Sequence, residues 1–293
     1  MDLRQLEYAV AVADHGGFTR AAAASLVAQP SLSQGVRSLE RELGVALFER
    51  IGRGVQITSA GQLVVDAARR VLRDLADLAV VAAAAGAAEV GRLDVVALPT
   101  LAVDPLAGLV GALRLRHPGI TVHIREPEEA ADVDQFVRSG RAELGLTDIA
   151  TGGAGLVRVP MFRQALMVVC PPGWPLADDA LTPAALAAMP LVVTPAGTST
   201  RRILERALAR VDAAPNVVVE ISQREAILPL VLAGAGAALL PAPMAAEAAG
   251  RGAVVRSLRP PVSRRVGVLH RTGPLSPAAL AMISIATEAH RPT

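Results

Sequence analysis

Hydrophobic positions in the first ninety residues recur at helical spacing, and beyond residue 91 they alternate between strand-like runs and helical faces. Leu3, Leu6, Ala9, Val10 and Ala13 share one face of a first helix, with Asp2 placed to cap it and His15-Gly16-Gly17 to end it. Thr19 is placed to cap a second helix, Arg20 to Leu26, with Phe18 before it as a hydrophobic staple. That helix is mostly alanine, so a neighbour can approach closely. Val27-Ala28-Gln29 reads as a turn and Pro30 as the first position of a third helix running to about Leu43, where a missing N–H costs nothing. Leu32, Val36, Leu39 and Leu43 form its apolar face, with Gln34, Arg37, Ser38 and Arg41 opposite. Gly44 stops it. Phe48 then anchors a strand, Arg50-Ile51-Gly52-Arg53-Gly54 forms a hairpin tip, and Val55-Gln56-Ile57 returns.

From Thr58 to about Ala85 the spacing predicts one long helix, with Ser59 and Gln62 at capping-box distance. Val64, Ala67, Val71, Leu75, Leu78 and Ala82 follow a three-four spacing, a seam seeking a partner helix. At about 1.5 Å per residue the helix is about 40 Å long. Gly86 is a candidate hinge. From Gly91 onward strands are expected at 92–98, 120–126, 144–147, 165–170, 191–193, 216–221, 237–240, 254–258 and 265–270. Helices are expected at 104–117, 132–139, 183–189, 199–210, 224–233 and 277–290. Thr182-Pro183 and Ser276-Pro277 are cap-plus-proline pairs, and Ser222 with Glu225 has capping-box spacing. This alternation is α/β architecture, with no internal repeat.

Composition changes this picture little. All 29 basic residues are arginine, which suits bidentate phosphate and guanine contacts. The net charge of +2 does not single out a nucleic-acid binder, because residues 1–90 carry nine arginines against ten acids. Any basic surface there must come from sorting charges onto faces. One cysteine, Cys170, rules out an intrachain disulfide and suits a reducing cytoplasm. MDLRQLEYAV reads as an amphipathic helix and not as a signal peptide. Ala226 to Ala246 is uncharged and long enough for a membrane span, but Pro229, Gly234, Gly236, Pro241 and Pro243 break it. A buried helix, a turn and a strand buried on both faces fit it better.

Two short helices joined by a short turn also describe a plain helical hairpin. Three features favour a DNA reader: the strict apolar face of the third helix, glutamine and arginine opposite it, and the glycine-arginine hairpin that follows. Elsewhere, familiar motifs fail. Gly234-Ala235-Gly236 follows a helix and precedes a strand, the wrong order for a dinucleotide loop. Thr151-Gly152-Gly153 follows a strand, but no phosphate-binding lysine exists in the chain. His15, His117, His123, His270 and His290 lack metal-ligand spacing. Cys170 reads as a buried small hydrophobe and Trp174 as packing within the later part of the chain, with a place at the edge of a cleft as the alternative.

The run LRQLEYAVAVADHGGFTRAAAASLVAQPSLSQGVRSLERELGVALFERIGRGVQITSAG resembles the N-terminal domain of LysR-type transcriptional regulators, most closely in FTRAA, QPSLSQ, LERELGVALFER and TSAG. The resemblance implies a winged helix-turn-helix over 1–58, a linker and dimerisation helix over 59–90, and an effector-binding domain over 91–293. In that family the third helix enters the major groove and the wing contacts the backbone. Carried over, this implicates Gln29, Pro30, Ser31, Ser33, Gln34 and Arg37 at DNA, and Arg50 and Arg53 in the wing. Ser31 and Ser33 could equally satisfy only local backbone groups. Ala28 departs from the family, which usually has a serine or threonine there; a cap is worth about 1 kcal/mol.

RLDVVALPT, LRHPGITVHI, GRAELGLTD and LPLVLAGAGAALLP are similar to landmarks of the family's two-lobed, periplasmic-binding-protein-like domain. Lobe one is expected at 91–160 plus 268–293, and lobe two at 161–267. Polar residues at strand ends would line the cleft: Thr100, Thr147, Thr198, Ser199 and Gln223. Free amides at the Thr198-Ser199 helix start would favour a carboxylate, although Thr198, Ser199 and Gln223 could be ordinary capping or loop groups. The partners expected are double-stranded DNA carrying an inverted repeat, a small and anionic effector, further copies of the chain (a dimer, extended by the resemblance to a tetramer) and RNA polymerase. No cofactor, metal or membrane is expected. Two rivals fall short. An enzyme with a DNA-binding accessory domain needs a nucleophile–base pair or metal site that residues 91–293 do not offer, and a transport solute-binding protein has no use for a winged helix.

Overall fold

The computed structural model describes residues 1–51, 54–84, 91–150, 155–175 and 180–289. The N-terminal unit is α1 (Leu3–His15), α2 (Phe18–Ala24), α3 (Gln29–Leu43), the hairpin β1 (Phe48–Ile51) and β2 (Gly54–Ile57), and α4 (Ser59–Ala84). Asp2 caps α1 in a full capping box: its Oδ1 accepts from Gln5 N at 2.9 Å, and Gln5 Oε1 accepts from Asp2 N at 3.0 Å. Gly16 and Gly44, with φ of 63° and 70°, end α1 and α3 in the left-handed region that a glycine adopts without strain.

Two expected caps are corrected. Helix α2 starts at Phe18 with Gly17 as its cap, so Thr19 lies inside the first turn. Phe18 packs edge-on to Phe48, ring centroids 5.8 Å apart, joining α2 to the hairpin. Helix α4 is capped by Thr58 and not by Ser59: Thr58 Oγ1 accepts from Gly61 N at 2.8 Å and donates to Ala46 O at 2.7 Å. The hydroxyl one residue earlier wins because it also anchors the chain entering the hairpin. Ala28 caps α3 with no side-chain bond.

The C-terminal unit opens with β3 (Gly91–Ala97), α5 (Pro99–Leu101), a π-type turn (Ala102–Leu106), α6 (Ala107–Arg116), β4 (Ile120–Arg125), α7 (Ala130–Arg138) and β5 (Leu144–Asp148). The long strand β6 (Leu156–Cys170) leads to β7 (Ala180–Leu181), α8 (Pro183–Ala188), β8 (Leu191–Val193), α9 (Ser199–Ala209) and β9 (Val217–Glu220). A 3-10 turn (Arg224–Ala226), α10 (Ile227–Leu232), β10 (Ala238–Pro241), α11 (Ala242–Gly250), β11 (Val254–Leu258), β12 (Val262–Arg271) and α12 (Pro277–Ala289) complete it. The main sheet runs β4-β3-β5-β12-β6-β11-β7, with β10 also on β6; β8 and β9 form a small parallel pair.

Strands β6 and β12 carry the chain between two lobes and pair antiparallel from Val262↔Leu166 to Arg271↔Leu156. Each is longer than the expected 165–170 and 265–270. One core gathers Leu93, Leu101, Leu113, Leu144 and Met282 and draws in Met161, Phe162 and Val266. Beyond the crossing, Leu166, Val168, Leu204 and Leu239 form a second core, and Val169, Val231, Leu240 and Ala248 a third. Packing therefore changes sides near 163–165 and 263–265, a few residues from the expected boundaries.

Three other differences have local causes. The expected helix 104–117 is interrupted at Asp104 (φ −146°, ψ 120°), because a residue before proline is pushed out of the helical region. The expected helix 224–233 is a 3-10 turn followed by α10, and no Ser222–Glu225 capping box forms. Starting α10 at Ile227 leaves Pro229 in the first turn, where it is tolerated. Helix α11 has no counterpart among the expected helices; it starts beside Pro243, which is likewise accommodated in its first turn. Among the described residues no helix is long and apolar enough to cross a membrane.

Candidate functional site

Helix α3 sorts its residues as its periodicity requires. Leu32, Val36 and Leu39 have no exposed surface. Gln29, Pro30, Ser31, Gln34, Arg37 and Arg41 are exposed. Gln29, Pro30, Gln34, Arg37 and Arg41 line one surface groove, with Ser33 at its floor. Ser33 is 8% exposed, and its Oγ accepts from Arg37 Nη2 at 3.0 Å, so it holds the guanidinium in place from beneath. Glu40 ties α3 to the hairpin by accepting from Leu47 N at 2.8 Å and Phe48 N at 3.2 Å. Gly35 permits the close crossing with α1: a Cβ there would sit 2.7 Å from the Tyr8 ring. Arg50 lies in β1 opposite Val55, its side chain outside the described ones, and Arg53 falls outside the described residues.

Along α4 the seam divides. Val65 and Ala68 are buried under α1, and Val64 packs partly into the same core. Val71 is 46% and Leu75 43% exposed, Ala67 is half-buried, and Leu63, which the spacing does not single out, is 73% exposed. Leu63, Ala67, Val71 and Leu75 thus repeat every fourth residue on one open stripe. The side chain of Leu78 falls outside the described ones.

The third feature lies between the lobes. Thr100, in α5 just beyond β3, faces Val193, Thr194, Thr200, Arg201 and Arg224 of lobe two across a cavity of about 30 Å³. Behind Thr100 stands Arg264, 2% exposed, in the middle of β12. Its Nη2 donates to Thr100 Oγ1 at 2.9 Å and its Nε to Gln164 Oε1 at 2.8 Å. Gln164 Nε2 in turn donates to Asp104 Oδ2 at 3.1 Å. Burial lowers the Arg264 pKa to about 10, against the opposing pull of Asp148 and Asp104, and Arg224 lowers it further. Nη1 of Arg264 and Nη1 of Arg201 are buried without a hydrogen-bond partner among the described residues. Arg201 on the cavity wall, and Arg264 bonded to Thr100 behind it, each keep an unsatisfied donor, an arrangement suited to an anion.

Of the cleft residues expected from sequence, Thr100 alone lines this cavity. Thr147 is fully buried, its Oγ1 without a partner among the described residues. Thr198 turns its hydroxyl inward, 2.6 Å from Thr194 Oγ1 and 2.9 Å from Pro195 O. Ser199 N donates to Glu128 O of lobe one at 3.3 Å, so that helix-start amide is occupied. Gln223 is exposed ahead of the 3-10 turn. Helix α9 instead presents Thr200, Arg201 and Leu204, one turn further in. A sequence signal for Arg264 does exist: at strand period it falls on the same face as Val262, Val266 and Val268, an arginine among inward positions. The remaining candidates are inert. Cys170 has no exposed surface, and burial pushes its thiol up to about 11, with Arg256 only partly opposing. No cluster of histidine, cysteine, aspartate and glutamate able to hold a metal occurs among the described residues.

A groove-bearing helix on a winged helix-turn-helix, joined by a long helix to a two-lobed domain with a polar cleft, defines a ligand-responsive DNA-binding regulator. Residues 3–62 match the bacterial regulatory helix-turn-helix protein, lysR family, and residues 86–291 match the LysR substrate binding domain. The chain belongs to the LysR family of transcriptional regulators, which are not enzymes. It is 31% identical over 276 residues to the DNA-binding transcriptional dual regulator OxyR of Escherichia coli K12, covering 93% of this chain and 90% of that one. It is 30% identical over 238 residues to the RuBisCO operon transcriptional regulator of Allochromatium vinosum, covering 80% and 78%. Among solved structures, a point variant of full-length OxyR from Pseudomonas aeruginosa superposes with a TM-score of 0.75 at 27% identity, covering 99% of this chain and 95% of that one.

Proposed function

We propose that this regulator binds an inverted-repeat operator in the cytoplasm as a dimer or a dimer of dimers, and that a small carboxylate anion between its lobes modulates that binding. Gln34 and Arg37 read base edges, Ser33 positions Arg37, and Arg50 and Arg53 of the hairpin reach the backbone. The stripe Leu63, Ala67, Val71 and Leu75 pairs α4 with its copy, and Leu78 continues it. Two heads at fixed separation then match two half-sites. RNA polymerase is the downstream partner of such a complex.

The observation that carries the effector reading is Arg264, a buried cation with a free donor behind Thr100. At about 30 Å³ the cavity has room for one water-sized molecule. A metabolite therefore enters only as the lobes part, which is how it would favour one lobe arrangement over the other. Calorimetry with a panel of small carboxylates tests this: a binder should be weakened by Thr100→Val and by Arg201→Gln and should change operator affinity. A binder indifferent to both substitutions would place the effector elsewhere.

Several relatives are named hydrogen peroxide-inducible genes activators. A thiol-based response to peroxide needs an accessible thiolate. The one cysteine of this chain is fully buried with its thiol pushed up to about 11, a placement that disfavours direct oxidation by peroxide.

A further inference from the structure

Helix α9 borders a second cavity on a different face. Ile203 and Arg206 of α9, Arg210 at its C-terminal cap, Arg163 of β6, Ser263 of β12 and Asp148 at the end of β5 lie on its walls, around about 270 Å³. Four other arginines of this domain are neutralised by carboxylates: Arg92 by Asp94, Arg116 by Glu288, Arg201 by Glu205 and Arg224 by Glu128. The exposed side chains of Arg163, Arg206 and Arg210 have no ion pair or hydrogen bond among the described residues. Like charges are also brought together. Arg163 stands directly opposite Arg265 in the β6–β12 ladder, and Arg206 and Arg210 are one turn apart. Both arrangements are repulsive. The C-terminal end of α9 favours Arg206 and Arg210 through its dipole, but that does not account for Arg163 on a strand. Asp148 Oδ1 accepts from Ala150 N at 3.1 Å and Arg265 N at 3.2 Å, so the one carboxylate of the lining is held by backbone amides.

We propose that this second cavity binds a phosphomonoester, gripped by Arg163 from the strand side and by Arg206 and Arg210 from the helix side, with Ser263 as a hydroxyl donor. Three guanidiniums and one carboxylate leave the lining with a formal charge of +2. A phosphomonoester carries about −1.5 to −2 at neutral pH, so it matches that charge. Guanidinium forks suit its tetrahedral oxygens. The concave walls and a volume near the lower end of ordinary ligand sites favour a small molecule over a flat protein surface. Such a ligand would tie α9 of lobe two to the crossing strands, against the opposing charge of Asp148, and would bias the angle between the lobes independently of the cleft. The proposal stands apart from the effector reading and does not require it.

The test is calorimetry on the full chain at low ionic strength with inorganic phosphate, glucose 6-phosphate and, as a control, glucose. Saturable one-to-one binding of the phosphates and none of glucose is expected. Arg163→Gln and Arg206→Gln should each weaken it about tenfold, the loss of one charge-assisted hydrogen bond. Thr100→Val in the cleft should leave it unchanged. Tighter binding of glucose 6-phosphate points to a phosphorylated metabolite and equal binding to free phosphate; both support the site. Arg210→Gln, a third lining position, should also weaken phosphate binding and replaces either variant if that one melts early. Absence of saturable phosphate binding, as an acidic protein partner would give, overturns the proposal. So does binding that survives Arg163→Gln with Arg206→Gln or that disappears in Thr100→Val.

Discussion

Arg264 carries a charge into the interior where the two chain crossings meet, and its neighbours show what that requires. One amide, Gln164, accepts from its Nε, and one hydroxyl, Thr100, accepts from its Nη2. Removing one partner of a buried charge leaves it uncompensated, whereas replacing the whole group by apolar atoms is much less damaging. Gln164→Leu is therefore expected to lower stability by about 2–4 kcal/mol in urea unfolding. The double variant Gln164→Leu with Arg264→Met should recover part of that loss; strictly additive losses would show that the two side chains are not coupled. Cys170 gives an independent check on burial. Its raised pKa means that the folded protein holds the proton up to about pH 11, while an unfolded chain releases it near the ordinary value. At pH 8 the native thiol should resist a thiol-specific chromogenic reagent and react fully once denatured. Rapid labelling of the native protein would contradict the buried placement.

At the scale of elements, the division of α4 separates two roles that its spacing alone merges. Val71→Asp and Leu75→Asp fall on the open stripe and should weaken self-association while the N-terminal unit stays folded. Val64→Asp falls against Leu6 and Leu39 and should instead destabilise that unit. Sedimentation and thermal melting distinguish these outcomes, and an intact oligomer in both stripe variants would remove α4 as the dimer contact. Gly35→Val would drive two methyl groups into Tyr8 and cost about 1–3 kcal/mol, read as a lower melting temperature.

Helices α1 and α3 were legible because each carries its own periodicity and stops at a glycine, whereas the alanine-rich α2 ends at Ser25. Caps were legible only where one acceptor was available, as at Asp2. Where Thr58 and Ser59 adjoin, a contact with Ala46, twelve residues back in the chain, chose between them. The cleft was half legible for a related reason. Strand ends identified Thr100, but the rotation of α9 decides whether Ser199 or Thr200 faces the cavity, and that rotation is set by the packing of Ile203, Leu204 and Leu208. Arg264 owes its burial to the antiparallel match with Gln164, a partner one hundred residues away.

On the scale of the whole molecule, the DNA-binding unit and lobe one meet at Asp14. Its carboxylate lies 2.5 Å from Arg69 Nη2 of α4 and 3.2 Å from Arg141 Nη2 of lobe one. Both side chains of the Asp14–Arg141 pair are open to solvent. Exposed pairs of this kind contribute about 0–1 kcal/mol, so the contact to lobe one can form and break as the lobes shift. The expected hinge at Gly86 lies outside the described residues. A coupling of about 1–3 kcal/mol between effector and operator would alter DNA binding several-fold. That coupling has a meaning only if α3 reads sequence. The most direct measurement is a binding titration of wild type and Arg37→Ala against operator and random DNA over a series of salt concentrations. The substitution should cost about 1–3 kcal/mol on the operator and far less on random DNA, and it should relax preference at one base pair of each half-site. Equal losses on both DNAs would contradict base reading by this helix and reduce Arg37 to a phosphate contact.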